Sequence, residues 1–170
     1  MKRGLCLLSV LILLLSLLGC SAQDKTPAGG VAFYYQQSAI QPAQSGSIIS
    51  KDMHILSDPD SNYTSILNTY LQGPISDPLH RIFPTGIVLS RLNVEKKNTD
   101  VVLGGSFSSL KGMELTIFCA CLTLTVCDLT GTQQVSIYYE TDYPESDPAV
   151  VMRPEEIVLL DDCKIEVDHD

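Results

Sequence analysis

Ser108-Ser109-Leu110-Lys111 has the spacing S-x-x-K, in which a lysine placed one helical turn after a serine can take its hydroxyl proton and leave a nucleophile. That chemistry needs further groups which the chain does not supply. No K-T-G occurs, and Ser76-Asp77 runs into Pro78 where S-D-N requires asparagine. The match reads as chance, with Ser108 or Ser109 capping the helix that follows. Gly104-Gly105-Ser106 could turn backbone N–H groups toward an oxyanion, but no histidine is placed to serve it. It reads as a loop where the chain turns.

The remaining chemistry-bearing types are cysteine and histidine. On a helix rising 1.5 Å per residue, Cys119 and Cys127 stand roughly 12 Å apart and Cys121 points about 200° away from Cys119, so the three cannot share a tetrahedral ion. On a strand, Cys119 and Cys121 would share a face. Buried thiols, one disulfide involving Cys163, and a reactive thiol all stay open. His54, His80 and His169 lack spacing such as H-E-x-x-H and read as surface residues, with no metal site and no cofactor. Asn62-Tyr63-Thr64 is a formal glycosylation sequon inside a helical pattern.

The elements that would position these residues begin after a leader. Lys2 and Arg3 precede an apolar run over residues 5–18, which ends in Leu17-Leu18-Gly19-Cys20. Fourteen residues (5 through 18) fall short of the roughly 20 that span a bilayer, so the run reads as a secretory signal rather than a permanent anchor. Its last four residues resemble the lipobox of bacterial lipoproteins. The resemblance implies cleavage of residues 1–19, lipidation of Cys20 and acylation with palmitate-type chains, and two acyl chains hold a protein on a membrane where one barely does. Cys6 leaves with the leader. Residues 20–30 then read as a polar tether.

The whole chain of 170 residues carries a formal charge of −9, no tryptophan and 6% aromatics. The length suits one domain with a core of its own. A sequence pI near 4.6 argues against electrostatic nucleic-acid binding. Removing residues 1–19 takes away Lys2 and Arg3 alone among the charges, which leaves 9 basic against 20 acidic residues, or −11. Residues 141–170 hold 10 acidic and 2 basic side chains, so −8 of that sits in a C-terminal extension, read as a solvated tail.

Residues 31–35, Val-Ala-Phe-Tyr-Tyr, are β-branched and aromatic and predict a strand; residues 47–55 predict a second. Tyr63, Ile66, Leu67, Tyr70 and Leu71 recur at helical period, with Asp58 or Asp60 as cap and Gly73-Pro74 as stop. Residues 87–94 and 99–103 flank Glu95-Lys96-Lys97-Asn98 as a hairpin. Residues 111–127 are too long an apolar run for an ordinary strand and predict a mostly buried helix. Residues 135–139 predict a strand, and residues 157–160 a short strand or docking segment. Tyr34, Tyr63 and Tyr139 are expected on core faces. No internal repeat is seen.

That order of elements resembles the GerMN domain of sporulation and germination proteins. The stretches that carry the resemblance are residues 31–35, residues 66–74 (Ile-Leu-Asn-Thr-Tyr-Leu-Gln-Gly-Pro), Phe83-Pro84-Thr85-Gly86 with residues 87–90, residues 99–107, residues 122–125 and residues 135–139. The chain departs from the family's usual pattern at Val102-Leu103-Gly104-Gly105 and at Glu140. The resemblance covers residues 31–140 and implies an α/β (α+β) fold of two helices packed on one mixed sheet, akin to ring-building modules. It also implies no catalysis.

The expected function is a lipoprotein on the outer face of the cytoplasmic membrane, holding protein partners of a sporulation, germination or envelope complex, with self-association possible. A lipoprotein that binds a small solute or glycan is the alternative. Replacing the lipidated thiol tests the anchor: Cys20→Ser is expected to abolish incorporation of labelled palmitate and to move the protein from the membrane pellet to the soluble fraction.

Overall fold

Alternation and helical period set the elements in a computed structural model that describes residues 30–37, 48–55, 62–74, 79–80 and 84–157. The leader, Cys20, residues 21–29 of the tether, Asp58, Asp60, Ser76-Asp77-Pro78, Phe83, residues 158–160, Cys163 and His169 lie outside the described residues. Strand β1 (Gly30–Gln37) pairs antiparallel with β2 (Ile49–Ile55), Gly30 opposite Ile55 and Gln36 opposite Ile49. On its other side β1 pairs, among the described residues, with the two-residue β3 (Leu79–His80) alone, at Gln36 and Gln37. Period-2 alternation puts Val31, Phe33 and Tyr35 on one face.

Helix α1 (Tyr63–Tyr70) follows. Its cap is Asn62, whose Oδ1 accepts the Ser65 N–H at 2.9 Å, rather than Asp58 or Asp60, because the first helical turn starts only at Tyr63. Ile66, Leu67, Tyr70 and Leu71 are buried, while Tyr63 is 42% exposed. Tyr63 is thus not committed to the core: it opens the helix, one turn before the face that packs. Gly73, at φ 101°, supplies the left-handed turn ahead of Pro74.

A hairpin of β4 (Ile87–Val94) and β5 (Asn98–Gly105) turns through residues 95–97, where the Glu95 N–H donates to the Asn98 carbonyl at 2.8 Å. A bulge between Leu89 and Arg91 shifts the inward phase, so Ile87 and Leu89 are buried and Leu92 packs against the same core. After a 3-10 turn at Ser106–Ser109, helix α2 (Gly112–Thr130) crosses over to β6 (Gln134–Tyr139), which lies parallel to β5. A parallel neighbour requires such a crossover. Gly131, at φ 72°, ends α2 by donating its N–H to the Cys127 carbonyl at 2.8 Å.

Strand β7 (Val150–Met152) then pairs antiparallel with β6. The described part of the acidic stretch is therefore folded onto the domain instead of trailing as a solvated tail. Tyr143 meets Tyr138 edge-on at 5.0 Å, and the Arg91 guanidinium stands 5.3 Å from the Tyr143 ring centre. Val102, placed between Arg91 and Tyr138 in the register, is buried beneath them. Of the short strand or docking segment expected at residues 157–160, all but Ile157 lies outside the described residues. Ile157 itself caps a 3-10 turn.

The fold is α+β, and its strands form two sheets, β2-β1-β3 and the mixed β4-β5-β6-β7, where one was expected. The division has a local cause. The Tyr34 N–H donates to Thr125 Oγ1 of α2 at 3.0 Å, so a helix, not a strand, occupies the edge of β1 that β3 leaves open. Between the sheets lie Phe33, Tyr35, Val101, Leu103, Val135 and Ile137, joined by Leu67 and Tyr70 of α1 and by Phe118, Leu122 and Val126 of α2. Tyr35 and Tyr70 stack at 5.0 Å, and Tyr35 donates its hydroxyl to the Tyr70 carbonyl at 3.0 Å. A buried tyrosine hydroxyl costs free energy unless partnered, and this bond provides the partner.

Helix α2 carries one uncompensated cost. Thr123 is fully buried and, among the described residues, its Oγ1 meets no hydrogen-bond partner. An unsatisfied buried hydroxyl costs about 1–3 kcal/mol, and valine has the same shape without it. Thr123→Val is expected to raise the unfolding free energy by about 1 kcal/mol in chemical denaturation, whereas Thr125→Val, which loses the bond to Tyr34, is expected to lower it.

Candidate functional site

The residues of the S-x-x-K motif do not share a helical turn. Ser108 is exposed in the 3-10 turn, and Lys111 is extended (φ −146°, ψ 156°) as the residue before α2, making no side-chain cap. Neither serine caps α2: Ser109 Oγ donates to the Ser106 carbonyl at 2.7 Å. The reason lies at Gly112, whose φ of 57° starts the helix after a break that the spacing could not reveal. Ser108 instead lines a hollow of about 270 Å³ at the carboxyl ends of β5 and β6, with Glu140 and Asp142 across it.

Gly104-Gly105-Ser106 closes the end of the β4–β5 hairpin. A Cβ on Gly104 would meet the Glu140 carboxylate, and one on Gly105, at φ 62°, would strike the Gly86 carbonyl oxygen. The Ser106 N–H donates to that same Gly86 carbonyl at 3.0 Å, and Ser106 Oγ donates to the Thr85 carbonyl at 3.0 Å. The first of these donors is thus committed to the backbone of the turn that leads into β4.

Cys119, Cys121 and Cys127 lie on α2 as free, buried thiols. Burial pushes the Cys119 and Cys121 thiols from the ordinary 9.0 up to about 12, and raises Cys127 as well. Among the described residues no group of three His, Cys, Asp or Glu side chains could hold a metal ion. His54 corrects the expectation of a surface histidine. It is buried with its Nε2 3.1 Å from Asp52 Oδ2 and its ring 4.4 Å from Phe33, because β2 alternation sends Asp52 and His54 to the face that Phe33 occupies. The alternation Asp52-x-His54 was the available signal.

Tyr139 packs partly buried against Phe107, at 5.0 Å, while Tyr34 is only half-buried, on the second face of β1.

The fold leaves apolar surface of its own. Ile48, Ile49, Ile117, Ala120, Met152 and Ile157 line a groove of about 260 Å³ between the start of β2, one side of α2 and β7. Met113, 73% exposed, precedes Ile117 by four residues and so extends the same helix face. At the far end of β2, Ile55 is 84% exposed. Strand β4 is one edge of the other sheet, where the bulge and the exposed Arg91 work against indiscriminate pairing. Gly112–Thr130 is long and apolar enough to cross a membrane by length and composition, but half of that window is buried inside the domain.

No protein-family model matches the chain, and none of the curated proteins matches it. Among solved structures, a crystallised, provisionally assigned lipoprotein of Clostridium perfringens is similar over 75% of this chain and 88% of its own, at 13% identity and a TM-score of 0.42. A likeness that slight carries no functional content.

The thiols generate a measurable expectation. At pH 8 the folded protein is expected to leave Cys119 and Cys121 unlabelled by an alkylating or disulfide reagent, and denaturant is expected to expose both. Because the folded state holds these protons to about 12 while an unfolded thiol releases them near 9.0, stability is expected to fall as pH rises through that window and to be insensitive to these groups below it.

Proposed function

We propose that the chain is an exported lipoprotein fastened at Cys20, whose GerMN-like α+β domain works through its surface as a non-catalytic assembly module. The observation that carries this reading is the apolar groove beside Ile117, continued by the exposed Met113, on a domain whose other large apolar groups are mostly enclosed. Isolated exposed apolar residues are ordinary, whereas a contiguous groove that joins a helix face to two strand ends is the kind of surface partners cover. A lipid on Cys20 and a polar stretch before β1 would hold that surface close to the membrane, where the partners of an envelope or sporulation complex lie. Self-association through the same groove is compatible with this role.

One genetic experiment tests it. Deletion in the native host is expected to lower the count of heat-resistant spores or to impair envelope integrity. The wild-type chain should restore the phenotype, and Ile117→Glu, exported and folded by circular dichroism, should not. A deletion strain with normal spores and a normal envelope, or full rescue by Ile117→Glu, would overturn the role.

A further inference from the structure

A further hollow on the described surface is polar. About 650 Å³ in volume, it is bounded by Lys97 and Asn98 of the β4–β5 hairpin, the loop after α2, the start of β6, and Arg153 and Glu155 after β7. Its walls are fixed by polar bonds. Arg153 Nε donates to Gln134 Oε1 at 3.1 Å, and Ser136 Oγ and, at 3.4 Å, Gln134 Nε2 both donate to Asn98 Oδ1. The Arg153 backbone N–H is held by Glu156 Oε2 at 3.1 Å. Beneath, the hydroxyls of Thr99, Thr130 and Thr132 satisfy one another at 2.8–3.5 Å.

The charges are the informative part. Lys97 and Arg153 form no ion pair among the described residues, on a chain where acidic side chains outnumber basic ones. Arg153 is anchored through Nε, which leaves its terminal amino groups for a carboxylate in the forked geometry that guanidinium favours. The opposite sign is also present. Glu155 lines the same cleft, and α2 ends beside it at Thr130, where a helix dipole favours a cationic group. A ligand with both charges meets a partner for each, whereas a simple anion would face Glu155 and the helix end unpaired.

From this arrangement we infer that the cleft is a binding site for a small zwitterion of the amino-acid or short-peptide class, its carboxylate on Arg153 and Lys97 and its ammonium toward Glu155 and the C-terminus of α2. The cleft's lining residues differ from those of the groove beside Ile117.

The experiment titrates the full chain in detergent with alanyl-alanine by calorimetry, beside N-acetyl-alanyl-alanine, which lacks the ammonium, and alanyl-alanine amide, which lacks the carboxylate. Saturable one-to-one binding with a Kd of about 1 mM or tighter is expected, weakened about tenfold or more for either blocked peptide. Arg153→Gln and Glu155→Gln are expected to weaken it likewise. Since Arg153 also steadies Gln134, Lys97→Gln in the exposed hairpin turn provides a variant that leaves the fold alone and should weaken binding too. Lys51→Gln, on β2, should change nothing. Absence of saturation up to about 10 mM, or equal affinity for the blocked peptides or for both Arg153→Gln and Lys97→Gln, would sink the proposal.

Discussion

A nineteen-residue helix that is apolar on nearly every side must be enclosed, and the enclosure of α2 organises the rest of the molecule. Phe118, Leu122 and Val126 meet the space between the sheets, while Ala120 and Cys121 meet the second face of β1 and β2 with Ile49. An open strand edge would ordinarily be satisfied by another strand. Here the Thr125 hydroxyl takes the Tyr34 N–H, so the helix serves as the neighbour of β1 and the two sheets stay separate. The hydrophobic drive is non-directional, but this single polar contact sets how the helix registers against the strand.

Once α2 is placed, the chemistry of its side chains follows. Thiols that could have been nucleophiles in an exposed loop become packing groups, because surroundings with few dipoles disfavour the thiolate. The same logic retires the serine-lysine spacing. Gly112 starts the helix one residue after Lys111, so Ser108 and Lys111 belong to different pieces of backbone.

Where periodicity ran over many residues, the sequence was an accurate guide: the stripe of α1, the hairpin around residues 95–97 and the apolar length of α2 all correspond to elements seen in the structure. Single-residue features were less readable. Asn62, hidden in a sequon, caps α1 because the helix starts just after it, and no pattern separates it from Asp58 or Asp60. His54 looked solvent-facing until the register of β2 placed it over Phe33. The acidic end misled for a different reason. Its mean charge says solvent, but Tyr143, Val150 and Met152 are enough to bind the described part, residues 141–157, to the sheet, and average composition hides three well-spaced apolar groups. The polar cleft had no local signature at all, since Lys97, Gln134 and Arg153 are brought together only by the β5–β6–β7 pairing.

The position of β7 has a consequence for biosynthesis. A polypeptide emerging from its amino end presents β6, with Val135 and Ile137, well before the strand that will flank it, and during that interval one side of the ladder is bare. Such an edge invites pairing with other nascent copies. Asp142, Glu145 and Asp147 arrive directly after β6 and ahead of Val150, so a cluster of negative charge escorts the vulnerable stretch and repels its own kind until the ladder is closed. The carboxylates that look like surplus charge thus set like charge beside the edge of the strand they follow.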